Sequence, residues 1–219
     1  SNSLIPSQYA NSVHVMKMCQ ALQSNGFNVD LTYFTSSKVE NVDKIFTDYG
    51  IKHKFKLTPM YIKHDRRKFF QNFIKIYKHL RKFDRKTLVY GRDIYSVYLA
   101  SLMGFKVYFE SHGKPFSKIH NFLEKRLYKN INFQKLIVIS DRLKKIYLNN
   151  DFSLDHKKIK VLHDGADKLD KKTKNVDLGQ GFHIGYIGSL YYHGRGINLI
   201  LSLAKENPNF YFHLIGGKK

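Results

Sequence analysis

Acidic residues, cysteine and long apolar runs are all scarce in this sequence. Asp and Glu together number 17 in 219 residues, against 38 Lys and Arg residues. Cys19 is the only cysteine, which excludes an internal disulfide and any zinc site with several cysteine ligands, and fits a reducing cytoplasm. No apolar run approaches the ~20 residues that a membrane-spanning helix needs. The hydrophobic share of 42% is still enough to build a core, so a disordered chain is excluded.

The shortage of acids leaves a formal net charge of +21. A field of this sign attracts nucleic acid, anionic lipid headgroups or phosphorylated substrates, although a solvated lysine-rich surface gives the same count. The cations are dense in residues 52–86, beside an apolar side that includes Phe69, Phe73 and Tyr77. This stretch suits either an anionic membrane surface or a core-packing helix with a solvated outer face. No nucleic-acid-binding motif is present, so we expect no nucleic-acid partner.

Short β-branched and aromatic runs alternate with amphipathic stretches along the chain. This alternation is typical of an α/β fold with a doubly wound, Rossmann-like parallel sheet. Strands are predicted at residues 28–35 and in the runs that begin at Thr87, Lys106, Lys135 and Lys158.

Apolar residues at helical spacing predict the helices. The first helix is expected to have Asn11 or Ser12 as its cap and to end at Gly26, with a buried face formed by Val15, Met18, Cys19 and Leu22. A long helix over residues 65–83 is expected to bury Phe69, Phe73, Tyr77 and Leu80. Two later helices are expected to bury Phe122, Leu123 and Leu127, and then Leu143, Ile146 and Tyr147, the second with Ser140 as its cap.

The chain divides in sequence into two domains. Residues 1–167 form a first Rossmann-like domain, and the polar, charged stretch 168–181 reads as a linker. Residues 182–219 restart the strand–helix–strand pattern, with a helix face of Ile197, Ile200, Leu201 and Ala204. Because the first domain opens on a helix and the second ends after two strands, we expect an opening strand and most of the second domain to be missing from this chain.

Glycines surround an arginine at the start of the predicted second-domain helix. Gly188 ends a strand, and Arg195 is followed by Gly196 just before the helix begins. Glycines allow a ligand to approach the backbone closely, and a helix N-terminus favours negative charge, so this loop suits a diphosphate. An ordinary tight turn between strand and helix would show the same glycines.

This segment resembles the start of the donor-binding domain in the retaining glycosyltransferases of family 4, which have the GT-B fold. In that family a glycine at a strand end precedes a variable loop, then a basic residue and a glycine at a helix start. Gly188, Arg195 and Gly196 match this pattern, whereas Ser189 stands where many members have a second basic residue. The resemblance implies that Gly188, Ser189 and Gly196 bind the donor and that Arg195 acts on its diphosphate.

The rest of the chain resembles the same family in order and spacing. The segment from Ile5 to Leu22 resembles the acceptor-binding loop and first helix of the family, which implies acceptor-side roles for Asn11, Ser12 and His14. The resemblance also implies an acceptor-side role for Arg92, in the later segment VYGRD. In the segment ESHG, His112 matches a histidine that lies beside the donor sugar in many members. It also follows a strand directly, at the sheet edge where ligands gather in α/β folds. Asp164 and Gly165 replace the family's Asn-Gly, and the resemblance places them on the donor side.

The resemblance implies transfer of a sugar, with retained configuration, from a nucleotide-diphosphate sugar to a glycan or lipid-linked acceptor. His112 and Arg195 would face each other across a cleft, and no cofactor or metal is expected because no Asp-x-Asp pair is present. A role in bacterial surface polysaccharide biosynthesis, a cytoplasmic or peripheral membrane location, and inactivity of this chain on its own are further expectations. Two alternatives remain open: a sugar-nucleotide epimerase of the same architecture, and a non-catalytic polyanion- or nucleic-acid-binding α/β domain.

Overall fold

The computed structural model describes residues 3–7, 9–35, 41–61, 69–149, 152, 154–168, 176–188, 190 and 196–216. The helices are α1 (Ala10–Ser24), α2 (Val42–Asp48), α3 (Phe69–Leu80), α4 (Ile94–Leu102), α5 (Lys118–Tyr128), α6 (Asp141–Asn149) and α7 (Ile197–Glu206). The strands are β1 (Asp30–Thr35), β2 (Lys56–Tyr61), β3 (Val89–Gly91), β4 (Val107–Ser111), β5 (Phe133–Val138), β6 (Ile159–Val161), β7 (Phe182–Ile187) and β8 (Phe210–Ile215). Within this part of the chain, no helix combines the length and apolarity needed to cross a bilayer.

The strands pair in parallel, with a helix between successive strands in almost every case. They form a β1–β2 pair, a four-stranded sheet in the order β3-β4-β5-β6, and a β7–β8 pair. Each of β3 to β6 follows its predecessor in space as in sequence, so the carboxyl ends of these four strands share one edge. This confirms the predicted Rossmann-like α/β class. The chain divides into two compact units, Ser1–Gly165 and Ala166–Lys219, and residues 169–175 of the predicted linker lie outside the described residues.

Three clusters of buried side chains lie in the first unit, and the two larger ones hold most of it together. The larger lies between the four-stranded sheet and helices α4, α5 and α6, and the fully buried Phe105, Val107, Leu127 and Leu136 belong to it. The smaller joins α1, β1 and α2 around Met16 and Tyr33, which are both fully buried. Burial of such side chains contributes about 1.5–3 kcal/mol each, so these clusters fix the strand ends that carry the candidate site.

The predicted strands are confirmed, but several helix details are wrong. Helix α1 begins at Ala10 with Tyr9 as its N-cap, so Asn11 and Ser12 lie inside its first turn and do not cap it. Met16 is a fully buried apolar residue of its inner face, whereas Met18, predicted to be inside, is only half-buried. Gly26 follows the helix end with a φ of 87°, as predicted. The Ser140 hydroxyl accepts from the Leu143 N–H at 3.2 Å, which confirms the cap of α6.

The stretch 52–86 holds a strand as well as a helix. The sequence does not predict strand β2, because Lys56, Pro59 and two half-buried residues obscure the alternation of apolar and polar residues that marks a strand. Helix α3 ends at Leu80, and residues 65–68 of the longer predicted helix lie outside the described residues. Among its side chains from residue 72 onwards, Ile76 is buried, whereas Tyr77, predicted to be inside, is 42% exposed. The side chain of Phe69, also predicted to be inside, is not among those described. Elsewhere Phe122 and Leu201, also predicted to be inside, are exposed.

Candidate functional site

A buried carboxylate at the carboxyl end of β4 gathers side chains from three other segments. Glu110 is 3% exposed. Its Oε1 accepts from Nε2 of His14 in α1 at 2.9 Å and from Nε2 of His112 just beyond β4. Its Oε2 accepts from the phenol of Tyr90 in β3, and Nε of Arg92 lies 3.7 Å from Oε1. Three hydrogen-bond donors and one guanidinium therefore converge on one carboxylate at the edge where the strands end.

This arrangement keeps Glu110 ionised in spite of its burial. Burial on its own raises the pKa of a carboxyl group. Here the hydrogen bonds from His112 and Tyr90 and the charges of His14 and Arg92 outweigh it, and they lower the pKa of Glu110 from 4.5 to about 2. Burial and the neighbouring carboxylate together raise the pKa of Tyr90 well above its usual range, so the phenol remains a donor.

The ionised carboxylate sets the tautomer of both histidines. A carboxylate can only accept hydrogen bonds, so Nε2 of His14 and Nε2 of His112 must each carry a hydrogen. In a neutral imidazole the lone pair then lies on Nδ1, and at His112 this atom can accept a hydrogen bond from a ligand. The two rings stand nearly perpendicular, 82° apart, with centroids separated by 5.0 Å. The pair thus presents two oriented imidazoles beside each other.

Asp164, which follows β6, reaches the same histidine pair. Its Oδ1 lies 3.4 Å from Nδ1 of His14, and its side chain is 54% exposed. His14, His112 and Asp164 each offer an atom that could ligate a metal ion, and these atoms lie within 4.8 Å of one another. The resemblance implies a donor-side place for Asp164 and Gly165, whereas in the structure the side chain of Asp164 contacts His14, a predicted acceptor-side residue.

The other predicted acceptor-side residues differ in their surroundings. Arg92 is 17% exposed, and its Nη1 is buried without a hydrogen-bond partner among the described residues, so it has capacity to bind a ligand oxygen. Asn11 is exposed on the first turn of α1. Ser12 is fully buried: its hydroxyl lies 2.8 Å from the Tyr9 carbonyl and accepts from the Tyr49 hydroxyl at 3.0 Å. Ser12 therefore holds the preceding loop in place and has no surface for an acceptor.

The second unit contains the remaining predicted donor-binding residues. Ser189 and Arg195 lie outside the described residues. Gly196 is the N-cap of α7 and has a φ of 78°, a conformation that favours glycine. The Gly188 N–H, predicted to approach the donor, donates instead to the Ile215 carbonyl at 2.9 Å. A Cβ on Gly216 would come within 1.7 Å of the Gly188 carbonyl oxygen, so glycine at 216 allows the ends of β7 and β8 to meet.

Two contributors to the site were missed by sequence analysis. These are Glu110, the first residue of the segment ESHG, and Tyr90, in the segment VYGRD. One signal was available for Glu110: it lies in a run of apolar residues on a strand expected to be buried, where an acidic residue needs partners. The identity of those partners could not be read, because His14 is 96 residues away in sequence.

Comparison with known proteins agrees with this architecture. The family model Glycosyltransferase Family 4 matches residues 12–168. This range includes all residues of the cluster around Glu110, called the histidine–carboxylate site from here on: His14, Tyr90, Arg92, Glu110, His112 and Asp164. A glycosyltransferase from Rickettsia africae has a similar structure, with a TM-score of 0.60, 14% identity, and coverage of 98% of this chain and 67% of the other. Anabaena HepE, solved in complex with UDP and glucose, gives a TM-score of 0.61, 13% identity, and coverage of 98% of this chain and 59% of the other.

The chain thus spans 67% and 59% of the lengths of these two proteins. No significant match is found among curated protein sequences. At 14% and 13% identity, these two structures establish the fold alone. The family model covers well over half of the chain, and on that basis the chain belongs to glycosyltransferase family 4.

Proposed function

We propose that this chain forms part of a retaining glycosyltransferase that transfers a sugar from a nucleotide-diphosphate sugar to a glycan or lipid-linked acceptor. The observation that carries the proposal is the buried Glu110 carboxylate that fixes His14 and His112 at the carboxyl edge of the sheet. Family membership supports the reaction class. HepE, which shares the fold, was solved with UDP and glucose, and this supports a nucleotide-sugar donor.

His112 is proposed to bind the donor sugar. Its Nε2–H is committed to Glu110, so its Nδ1 accepts a hydrogen bond from a sugar hydroxyl. Charge separates as the glycosidic bond to the diphosphate breaks, and a hydroxyl held in place at that moment lowers the barrier by orientation and electrostatics. His14 and Arg92, which share the same carboxylate, are proposed to contact the acceptor.

The diphosphate is proposed to bind in the second unit. Helix α7 begins after Gly196 and has no acidic residue in its first turn, so its N-terminus favours an anion. Arg195 directly precedes Gly196 in sequence and Ser189 lies seven residues before it, and both are assigned to the diphosphate from the resemblance. With a guanidinium and a helix N-terminus to neutralise the leaving group, we propose that transfer needs no metal ion.

The test is sugar transfer by the full-length gene product carrying His112→Ala. We expect the turnover number to fall by about 10²-fold or more, because the loss of one oriented hydrogen bond at the reacting sugar costs about that much. The matched control is His156→Ala, which removes an exposed histidine at the amino end of β6 and should leave turnover unchanged. Full turnover in His112→Ala would refute the assignment.

Product analysis distinguishes the reaction classes. Proton NMR of the product should show the anomeric configuration of the donor, and inversion would contradict the retaining mechanism. Conversion of the donor to an epimer without any transfer would identify an epimerase instead. Binding of nucleic acid that is steeply salt-dependent, without binding of nucleoside diphosphates, would favour the polyanion-binding alternative.

The setting of the reaction is part of the same proposal. We place the enzyme in the cytoplasm or at the inner face of the cell membrane of a bacterium, in the synthesis of a surface polysaccharide. The strongly basic charge supports an acceptor or a surface that carries phosphate groups. Fractionation of cells that express the tagged full-length gene product would test this, since recovery from the periplasm would contradict it.

A further inference from the structure

Three large apolar side chains lie exposed at the start of α5 and just before it. Phe116 is 84% exposed, Ile119 60% and Phe122 55%. Ile119 and Phe122 are three residues apart and so lie on the same side of the helix. The opposite side of α5 carries Leu127 and Tyr128, which belong to the main core. The core therefore does not require the outer apolar side chains, and their exposure calls for another explanation.

Cations surround this apolar group. Residues 112–131 contain five basic residues and one acid: Lys114, Lys118, Lys125, Arg126 and Lys129, with Glu124. Glu124 is 3% exposed and accepts from the Tyr128 hydroxyl at 2.6 Å, so it is turned into the core. This segment consequently exposes positive charge and no carboxylate. The Arg126 guanidinium lies 5.3 Å from the centre of the Phe122 ring, which places charge directly beside the apolar surface.

A cavity opens next to the same side chains. Its volume is about 550 Å³, and three lysines line it: Lys114, Lys118 and Lys125. Ser117 and Asn121 contribute polar groups to its wall, and Phe116 contributes an apolar edge. A concave site with three ammonium groups and an apolar rim matches the headgroup of a phosphate-bearing lipid with its acyl chains alongside.

We propose that the α5 surface, formed by residues 114–129, binds an anionic lipid bilayer. Phe116, Ile119 and Phe122 enter the boundary between headgroups and acyl chains, and the lysines contact lipid phosphates. A second copy of the chain is disfavoured, because it would bring two surfaces of the same positive charge together. A nucleic acid is disfavoured because the sequence contains no nucleic-acid-binding motif.

The α5 surface begins close to the histidine–carboxylate site. Lys114 follows His112 by two residues, a span of at most about 7 Å of chain. If the proposed function holds, a bilayer docked on this surface brings a lipid-linked acceptor to the two imidazoles. Bilayer binding itself requires neither donor nor turnover, so it can be measured whether or not the chain transfers sugar.

Co-sedimentation with vesicles tests the proposal. The 219-residue chain should bind vesicles of phosphatidylcholine with phosphatidylglycerol and should bind pure phosphatidylcholine only weakly. Combining Phe116→Ser, Ile119→Ser and Phe122→Ser should reduce the binding constant by about tenfold or more. Lys114→Gln and Lys118→Gln should each reduce it by about fivefold. Because these side chains are exposed, the thermal unfolding temperature should not change, which separates lost binding from lost folding.

A matched control uses exposed apolar residues elsewhere. Phe27 and Leu88 are 54% and 51% exposed, and they precede β1 and β3 at the amino ends of the strands. Phe27→Ser combined with Leu88→Ser should leave vesicle binding unchanged. A second comparison replaces Lys75 and Lys78 of α3 by Gln. Binding that survives the α5 changes but is lost with the α3 changes would overturn the proposal in favour of the 52–86 stretch.

A spectroscopic measurement reports insertion directly. The chain contains no tryptophan, so Phe116→Trp introduces a single reporter on the α5 surface. Its emission should shift to the blue on anionic vesicles and be quenched by brominated acyl chains, whereas Phe27→Trp should show neither effect. An unchanged emission spectrum of the Phe116→Trp variant would refute bilayer insertion. Displacement of the chain from vesicles by glycerol phosphate would also refute it, since it would indicate a site for small anions.

Discussion

Replacing Glu110 with glutamine tests whether an ionised carboxylate organises the histidine site. Glutamine keeps the size of the side chain but replaces one oxygen with an NH₂ group. That group would face the N–H of an imidazole or the hydroxyl of Tyr90, all of which donate hydrogen bonds to Glu110. The variant therefore removes the charge and sets donor against donor inside a buried site.

The size of the effect follows from the pKa of Glu110. Each unit by which a pKa differs between the folded and unfolded states corresponds to about 1.36 kcal/mol. A pKa lowered from 4.5 to about 2 means that the folded state stabilises the ionised form by about 3 kcal/mol. Because the pKa is lower in the folded state, this stability is present above pH 4.5 and is lost as the pH falls towards 2.

The assay is urea unfolding of the wild type and of Glu110→Gln, followed by far-ultraviolet circular dichroism between about pH 2 and pH 8. At neutral pH we expect the free energy of unfolding to be lower by about 3 kcal/mol in the variant, with the difference shrinking below pH 4.5. Equal stability at neutral pH would refute the reasoning. So would a difference that stayed constant down to about pH 2, because it would come from packing and not from ionisation.

Glu124→Gln is a control with the opposite sign. Glu124 is equally buried, but burial outweighs the hydrogen bonds from Tyr128 and Tyr147 and raises its pKa to about 7. A carboxyl with a raised pKa contributes stability below its unfolded pKa of 4.5, and this is lost as the pH rises through 7. Glu124→Gln should therefore match the wild type near pH 4.5 and exceed its stability by about 3 kcal/mol at alkaline pH.

Three further predictions concern other parts of the chain. Gly216→Ala should destabilise the β7–β8 pair by about 3 kcal/mol or more, measured by amide hydrogen exchange, whereas Gly104→Ala, which meets no atom within 4 Å, should cost only about 1–2 kcal/mol. Cys19 should react with a thiol reagent at about pH 8 far more slowly in the folded chain than in urea, because burial raises its pKa to about 12. Sugar transfer by the full-length gene product should be unaffected by EDTA, and restoration of a lost rate by added Mg²⁺ would contradict metal independence.

Strand positions could be read from the sequence because the two central strands of the main sheet, β4 and β5, are mostly buried. Strand β4 (Val107–Ser111) has four buried residues of five, and such runs stand out against the lysine-rich background. Strand β2 could not be read from the sequence, because most of its residues are not buried. Only Met60 of its six residues is buried, and Pro59 lies within it, so neither composition nor alternation marks it as a strand.

Helix faces were predicted less well than strands. The spacing of apolar residues in α1 allowed either Met16 or Met18 to face the core, and packing against β1 and α2 selects Met16. In α5 the sequence pattern placed Phe122 inside, whereas the structure leaves it exposed beside cations. The spacing of apolar residues shows which face of a helix favours burial. It does not show whether that face is buried in the protein core or against a binding partner.

The candidate site shows why His112 could be found from sequence and Glu110 could not. A histidine after a strand attracts attention by itself, since it lies where ligands bind in α/β folds. A glutamate inside a strand gains meaning only from its partners, and these come from α1, β3 and the turn after β4. A carboxylate this deeply buried could not remain ionised without partners. Without the ionised carboxylate, neither imidazole would have a fixed tautomer. The donors and the carboxylate therefore depend on one another, and the two histidines function as one unit. The fold creates this unit, because it brings His14 to Glu110 across 96 positions of sequence.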